Sequence, residues 1–450
     1  MQGDDDHTGG TDVTDTVDSA ATGDVVAEVN AWLEQNWDPD LTVGEWWERL
    51  GLAGWSAPGL PENAYGRGLA RNDVVAVQSA VAEHGALSAP GGLGLLLAAP
   101  TIATHGTQEQ IDHYVRRIVT GLDAWCQLFS EPGAGSDLAS LGARAERDGD
   151  EWIVNGQKVW TSLGHMADMG MLIARTDVDV PKHQGITWFA ASMDQPGMDV
   201  RPLVEMTGHA MFNEVFMSDV RVPDSAVIGG LNQGWAVANT TLAFERAGLG
   251  SGGGSGAAGA AMPGTIAGQL ERRAGDFVSS APRRRSGGAV PSLGGAKLLI
   301  DLAKGNGTID DPTVRQDLMR LYTLGELGRF TNLRAKALKA IGGEVPGLGN
   351  LAKLGMSDQM RLSRDLSLRI VGAAGMLHAY RDDDRAAIDE ATGNPFLPMV
   401  TGMALWAQGP PIYGGTDQIQ KNIIGERVLG LPREPNNDKS LPYSELPKNA

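Results

Sequence analysis

Three segments rich in glycine and hydroxyls carry the residues best suited to chemistry. In Phe129-Ser130-Glu131-Pro132-Gly133-Ala134-Gly135-Ser136-Asp137 a β-type run enters a tight turn of small residues. Such a turn exposes backbone N–H groups, and Ser130 and Ser136 add hydroxyl donors, a set suited to a phosphate or a flavin carbonyl. The same residues also suit a plain sheet corner. They are not the dinucleotide fingerprint, because no helix-opening G-x-G-x-x-G follows a βαβ strand. The second segment, Asn155-Gly156-Gln157-Lys158-Val159-Trp160-Thr161-Ser162, reads as a hairpin turn entering a strand that ends in an indole and two hydroxyls. The third, Tyr413-Gly414-Gly415-Thr416-Asp417-Gln418-Ile419-Gln420, is a Gly-rich loop opening a last helix, with Asp417 placed as a helix cap.

Three blocks of pattern must position these segments. From about Val25 to Gly121 apolar residues recur at helical spacing, as in Val25-Val26, Val29 and Trp32-Leu33. Leu93 to Ala99 reads as a buried helix before Pro100, and Thr107 is an N-cap for a helix carrying Ile111, Tyr114 and Ile118. From Trp125 the texture changes to short β-rich runs: 124–129, 143–147, 151–154, 156–160, 169–175, 185–191 and 215–222. Turn signals such as Asp148-Gly149-Asp150 and Asn155-Gly156 separate them. Their alternation is that of an antiparallel sheet or barrel. From Gly234 to about Leu429 the pattern is helical again, with long helices expected at 312–340 and 350–378. Residues 250–260 are only Gly, Ala and Ser and read as a flexible connection, while 272–295 are loosely patterned.

Composition narrows the function classes. A chain of 450 residues is too long for one ordinary core. With 37 Lys+Arg against 55 Asp+Glu, the net charge of −18 disfavours nucleic acid. The single cysteine, Cys126, excludes an intrachain disulfide or a cysteine-cluster metal site, and its neighbours make it a core residue. No metal site is expected. No apolar run approaches the roughly 20 residues of a membrane span. Residues 1–23 are rich in Asp, Thr and Gly, with neither a basic start nor an apolar core, so they read as a disordered acidic lead-in to a cytoplasmic protein. His165 reads as loop polarity, and Arg283-Arg284-Arg285 as a solvated run.

Taken together and in order, the three segments resemble the acyl-CoA dehydrogenase family of flavoproteins. Phe212-Asn213-Glu214-Val215-Phe216, Asp219-Val220-Arg221-Val222-Pro223 and Asn232-Gln233-Gly234-Trp235 support the resemblance, which extends from residue 25 onward. It implies a multidomain α+β fold: an N-terminal helical domain (24–122), a middle antiparallel β domain (123–231) and a C-terminal helical bundle (232–450) containing the Gly-rich connection 249–295. It implies FAD as cofactor, an acyl-CoA substrate, an electron-transferring flavoprotein as electron acceptor, and a homotetramer or a heterotetramer with a paralogue.

The resemblance also distributes roles. The Phe129 backbone and Ser130 would face the isoalloxazine ring, with Gly135 and Ser136 where the turn meets FAD and thioester. Trp160 would stand beside the flavin and Ser162 at its N5 edge. Thr416 and Gln418 match loop positions that contact FAD, Gly415 would adjoin the substrate, and Arg369 and Ala373 lie in a dinucleotide-facing stretch that is altered here. The commonest position of the family's glutamate base is Gly414, which retains only a backbone N–H for the thioester oxygen. Some members take the base from a Glu-Arg pair on a helix, and Phe244-Glu245-Arg246-Ala247-Gly248 stands at that place. Glu245 is therefore the expected base, Arg246 a loop anchor or ligand contact, and Asp417 the rival carboxylate. The implied reaction is α,β-dehydrogenation of an acyl-CoA. A non-catalytic subunit of a heterotetramer and a flavin monooxygenase-like relative are the alternatives.

Overall fold

The computed structural model describes residues 13–250, 269–278, 296–343, 345–433, 435, 438 and 440–447. Helix α1 (Val13–Asn36) begins inside the stretch expected as an unstructured lead-in, whose residues 1–12 lie outside the described ones. Helix α2 (Val43–Leu52) starts with a reciprocal cap: Glu45 N–H donates to Thr42 Oγ1, and Thr42 N–H to the Glu45 carboxylate. Its Trp46 and Trp47 are wholly buried, their indole N–H groups donating to the carbonyls of Leu87 and Ser88 beyond α3 (Arg71–His84). Gly94–Ala98 is helical, but Pro100 does not end the helix. It follows on the π-type turn Gly94–Ala98, whose wider i→i+5 bonding (Ala99 N–H to the Gly94 carbonyl) precedes α4 (Ala99–His105). The short helices α5 (Gln108–Gln110) and α6 (Arg116–Val119) follow, and Thr107 caps α5 as expected.

An eight-stranded sheet forms the middle of the molecule. Its strands are β1 (Trp125–Leu128), β2 (Arg144–Asp148), β3 (Glu151–Ser162), β4 (Met169–Arg175), β5 (Ile186–Ser192), β6 (Met198–Leu203), β7 (Phe212–Pro223) and β8 (Val227–Ile228). The order is β6-β7-β3-β2-β4-β5-β8, with β1 beside β4. Pairing is mostly antiparallel; β1 runs parallel to β4. Asn155-Gly156 is not a hairpin turn. It lies inside the single strand β3 opposite a bulge in β7, where Asp219 has φ of +54°, and a side chain on Gly156 would meet Ala143 Cβ at 2.6 Å. Asn155 turns sideways instead and exchanges hydrogen bonds with Asp219 on β7. The strands β6 and β8 lie outside the runs read from sequence, because β6 is only half-covered and β8 is two residues long.

The C-terminal helices are α7 (Gly234–Gly250), α8 (Ala296–Gly305), α9 (Pro312–Ala340), α10 (Leu348–Val371), α11 (Asp382–Thr392), α12 (Leu397–Trp406) and α13 (Asp417–Ile423). Helix α9 has the expected bounds, but α10 stops at Val371 rather than 378, because Gly372 turns to positive φ. Most of the Gly-rich connection, including Arg283-Arg284-Arg285, lies outside the described residues. Its residues 269–278 return to the N-terminal domain: Val43 N–H bonds the Arg272 carbonyl, and Ala274 is buried beneath Trp46 and Trp47 in that core. No described helix is long and apolar enough to cross a membrane.

Candidate active site

Strand β1 delivers the chain to a turn that closes on itself. Glu131 N–H donates to the Ala134 carbonyl (3.0 Å) and Ala134 N–H returns the bond (3.1 Å). The Glu131 carboxylate points inward and accepts from Gly142 N–H (2.6 Å), Ala143 N–H (3.0 Å) and Lys158 Nζ (2.8 Å). Lys158 is wholly buried, and its ammonium also donates to the Phe129 carbonyl at 3.0 Å. Burial pushes the Lys158 ammonium below the usual lysine range, against the opposing pull of Glu131. One buried ion pair thus fixes the backbone at Phe129, and Val159 N–H fixes the Ser130 carbonyl (2.9 Å). Ser130 is half-buried, while Gly135 and Ser136 are exposed at the tip.

Two residues further along β3 the strand departs from regular geometry. Trp160 has φ of +61° in a second bulge, and its side chain is 60% exposed. A bulky residue in the left-handed region is strained by roughly 1–2 kcal/mol, and here the strain throws an indole outward. Phe212 holds that ring edge-on at 5.8 Å, and Phe212 in turn stacks on Trp406 of α12 at 6.4 Å. Trp406 reaches Tyr413 at 6.2 Å. An aromatic chain therefore joins the second segment to the third. Thr161 Oγ1 beside Trp160 is buried without a partner, and Ser162 is half-buried opposite Phe212.

The third segment is a left-handed turn: Gly414 has φ of +62° and Gly415 of +82°. Gln420 Nε2 donates to both of their carbonyls (2.8 and 3.3 Å). Because the peptide is trans, the N–H groups of Gly415 and Thr416 point the other way, out of the loop. Thr416, not Asp417, caps α13, its Oγ1 accepting from Ile419 N–H at 3.2 Å. Asp417 is instead buried between Lys353 (2.8 Å), Arg361 (2.8 Å) and Ser357 Oγ (2.8 Å). Burial would raise its pKa, but the hydrogen bonds from these three outweigh it and bring the carboxyl down to about 2. Gln418 is exposed on the first turn.

The remaining candidates are spread more widely. Glu245 lies half-buried on α7, one turn beyond Thr241, whose hydroxyl meets Thr101 on α4 at 3.1 Å. His105 Nε2 to Thr240 Oγ1 (2.8 Å) makes a second tie between these helices. Helix α10 touches both α7 and α13 and so links Glu245's helix to the glycine loop. The Arg246 side chain lies outside the described residues. Arg369 is tied to Asp317 on α9 (2.8 Å), and Ala373 is exposed in the turn after α10. Cys126 is buried beside Met193, and burial pushes its thiol up to about 12, so it is inert core. His165 meets Asn213 Oδ1 at 3.2 Å. Surface cavities of about 440 Å³, lined by Gln316 and Met319, and of about 340 Å³, lined by His113 and Ser192, contain none of the candidates.

Sequence reasoning missed the inner network of Glu131 and Lys158. The signal was present: Lys158 falls at an inward position of an alternating strand, in line with the buried Trp152 and Val154.

Comparison with known proteins gives three matches along the chain. Family models for the acyl-CoA dehydrogenase N-terminal, middle and C-terminal domains match residues 11–122, 126–220 and 299–429. The chain belongs to the acyl-CoA dehydrogenase family. The acyl-CoA dehydrogenase IpdE1 of Mycobacterium tuberculosis H37Rv is 35% identical over 392 residues, covering 86% of this chain and 88% of the relative. Among solved structures, the "Tcur3481-Tcur3483 steroid ACAD" matches with a TM-score of 0.65 at 26% identity, covering 92% of this chain and 98% of that one. The ChsE4-ChsE5 complex from Mycobacterium tuberculosis matches with a TM-score of 0.62 at 25% identity, over 92% and 98%.

This acyl-CoA dehydrogenase is therefore an FAD-dependent oxidoreductase of lipid metabolism. Its own residues fit such a cofactor. An outward-facing indole, the half-buried Ser130 and Ser162, the unpartnered Thr161 hydroxyl and a left-handed glycine loop lie along one aromatic seam. That combination of flat apolar surface and short donors suits a ring bearing polar edges.

Proposed function

We propose that this chain catalyses α,β-dehydrogenation of an acyl-CoA thioester with Glu245 as the base. The carrying observation is the state of the rival carboxylate. Asp417 is clamped by Lys353 and Arg361 with a pKa of about 2, too weak a base for an α-proton, and Gly414 has no side chain. Glu245, half-buried on α7, is left to hold that proton. Its task requires a dry setting that raises the basicity of its carboxylate toward that of the acidified carbon.

Bound FAD supplies the acceptor for the β-hydrogen. The Phe129 backbone, Ser130, Trp160 and Ser162 would hold its ring, Gly135, Ser136, Thr416 and Gln418 its flanks, and Arg369 and Ala373 a more distant part. The Gly414 N–H would donate to the thioester oxygen, where negative charge develops, with Gly415 and Arg246 beside the substrate. Electrons would pass on to an electron-transferring flavoprotein, from a homotetramer or a heterotetramer with a paralogue in the cytoplasm. A glycine at 414 leaves room beside the reacting carbons, and the steroid ACAD among the structural relatives points the same way, toward a bulky or ring-bearing acyl group.

The test is an anaerobic titration of the purified flavoprotein with straight, branched and steroid-like acyl-CoA thioesters. Glu245→Gln should keep its flavin yet lose acyl-CoA-driven bleaching by several orders of magnitude. A Gln variant that bleaches at the wild-type rate refutes Glu245 as base. A wild-type chain that binds no flavin alone and shows activity only together with a base-bearing paralogue favours the non-catalytic subunit instead.

A further inference from the structure

Behind the turn at Ser130–Asp137 lies a group of cations that the proposed reaction does not use. Lys158, Arg175 and Lys182 are each at most 5% exposed, far below what lysine and arginine ordinarily show. Arg175 is the central one. Its guanidinium donates to the carbonyls of Ala139 (2.6 Å), Leu141 (3.2 Å) and Lys182 (3.1 Å), and its backbone N–H to the Ala143 carbonyl (2.8 Å). It therefore grips the segment 139–143, whose amides at 142 and 143 hold the Glu131 carboxylate. Lys182 grips the other end of the turn through Asp137 at 2.8 Å. Glu131 and Asp137 together cannot neutralise Lys158, Arg175 and Lys182, and an uncompensated buried cation is costly.

The balance comes from far along the chain. Asp438 reaches Lys182 Nζ at 3.2 Å, and the Tyr443 ring lies under the Arg175 guanidinium at 3.6 Å from its centroid. The backbone there is docked as well: Tyr443 N–H bonds the Val180 carbonyl and Ser444 N–H the Val178 carbonyl, both at 2.9 Å. Pro442 pairs with Pro181. These contacts seat Asp438 and residues 442–444 on the middle domain, directly behind the turn.

We propose that Asp438 and residues 442–444 form a positioning strap for the turn at Phe129–Asp137, with Tyr443 its main contact and Arg175 the residue through which it acts. The strap completes the charge balance of the buried cations and fixes the segment 139–143, which fixes Glu131, which with Lys158 fixes the Phe129 carbonyl. No strap residue touches the reacting atoms. The inference rests on the FAD reading above, but only for its functional readout.

The test compares wild type, Tyr443→Ala, Tyr443→Phe and a chain ending before Asp438. Two quantities are measured: amide hydrogen exchange without flavin, and the dissociation constant for FAD by flavin fluorescence. Tyr443→Ala and the truncated chain should exchange at least tenfold faster at residues 142, 143 and 159, with β4–β5 amides unchanged. Their FAD affinity should fall about tenfold. Tyr443→Phe keeps the ring over Arg175 but loses the phenol oxygen beside it, and should fall between wild type and Tyr443→Ala in both. Exchange at those amides unchanged in Tyr443→Ala overturns the strap, as does a lower melting temperature with unaltered FAD affinity. A wild-type chain that binds no FAD refutes the cofactor reading while the exchange result still decides the strap.

Discussion

Both walls of the proposed site rest on a buried carboxylate held by cations, yet the two are anchored differently. Glu131 draws its partners from its own domain: two backbone amides of the following segment and Lys158 of the adjacent strand. Asp417 draws its partners, Lys353, Ser357 and Arg361, from one face of α10 across the bundle. The surroundings differ in the same sense. The sheet's turn stands on a core that runs from Leu60 to Ala238. Among the described residues the C-terminal cluster has eight buried apolar side chains, while Met319, Tyr322, Leu327, Phe330 and Leu333 on α9 stand about half exposed. One wall is set by the fold of its own domain. The other is only as well placed as the bundle, whose apolar flank is what the proposed tetramer would cover.

Substitutions can break or sharpen this contrast. Lys158→Ala should have the largest effect, because it leaves Glu131 buried without its cation. A global loss of ~3–5 kcal/mol is expected by urea denaturation, with flavin lost in the same step. Asp417→Asn should cost less, ~2 kcal/mol, since the isosteric amide oxygen can still accept from Lys353 and Ser357, and Arg361 retains Asp358 and some solvent. Hydrogen exchange should rise at residues 413–420 and leave the sheet untouched; an equal global loss in both variants would erase the distinction. Acid acts on the same residue. The Asp417 pKa lies below its ordinary 3.8, so its stabilisation is complete above about pH 4 and lost as pH falls through about 2. The Asn variant should flatten the stability profile within that window only. Gly415→Ala should be the mildest, ~1–2 kcal/mol, from the left-handed backbone and a Cβ that would lie 2.7 Å from Gln420 Nε2.

How much of this was legible in the sequence follows the range of each interaction. Helix α9 and the strand β4 have the bounds that periodicity predicts, because each is set by a local pattern. Thr107 was readable as a cap for the same reason. Asp417 sits in a capping position by sequence, but its partners are 56 to 64 residues away in the chain. No local rule finds them. Asn155-Gly156 carries a strong turn signal that the pairing of β3 with β7 overrides, keeping it within the strand opposite a bulge in β7. The aromatic seam needed the meeting of Phe212 with Trp406, which only the packed structure supplies.

Trp160 combines two features that a stability selection would disfavour: a strained backbone at φ +61° and a large apolar side chain that is 60% exposed. Glycine or asparagine would relieve the first and remove the second. A library screened for heat resistance without its ligand would therefore discard this indole early, and would gain robustness by losing the surface proposed to receive the flavin.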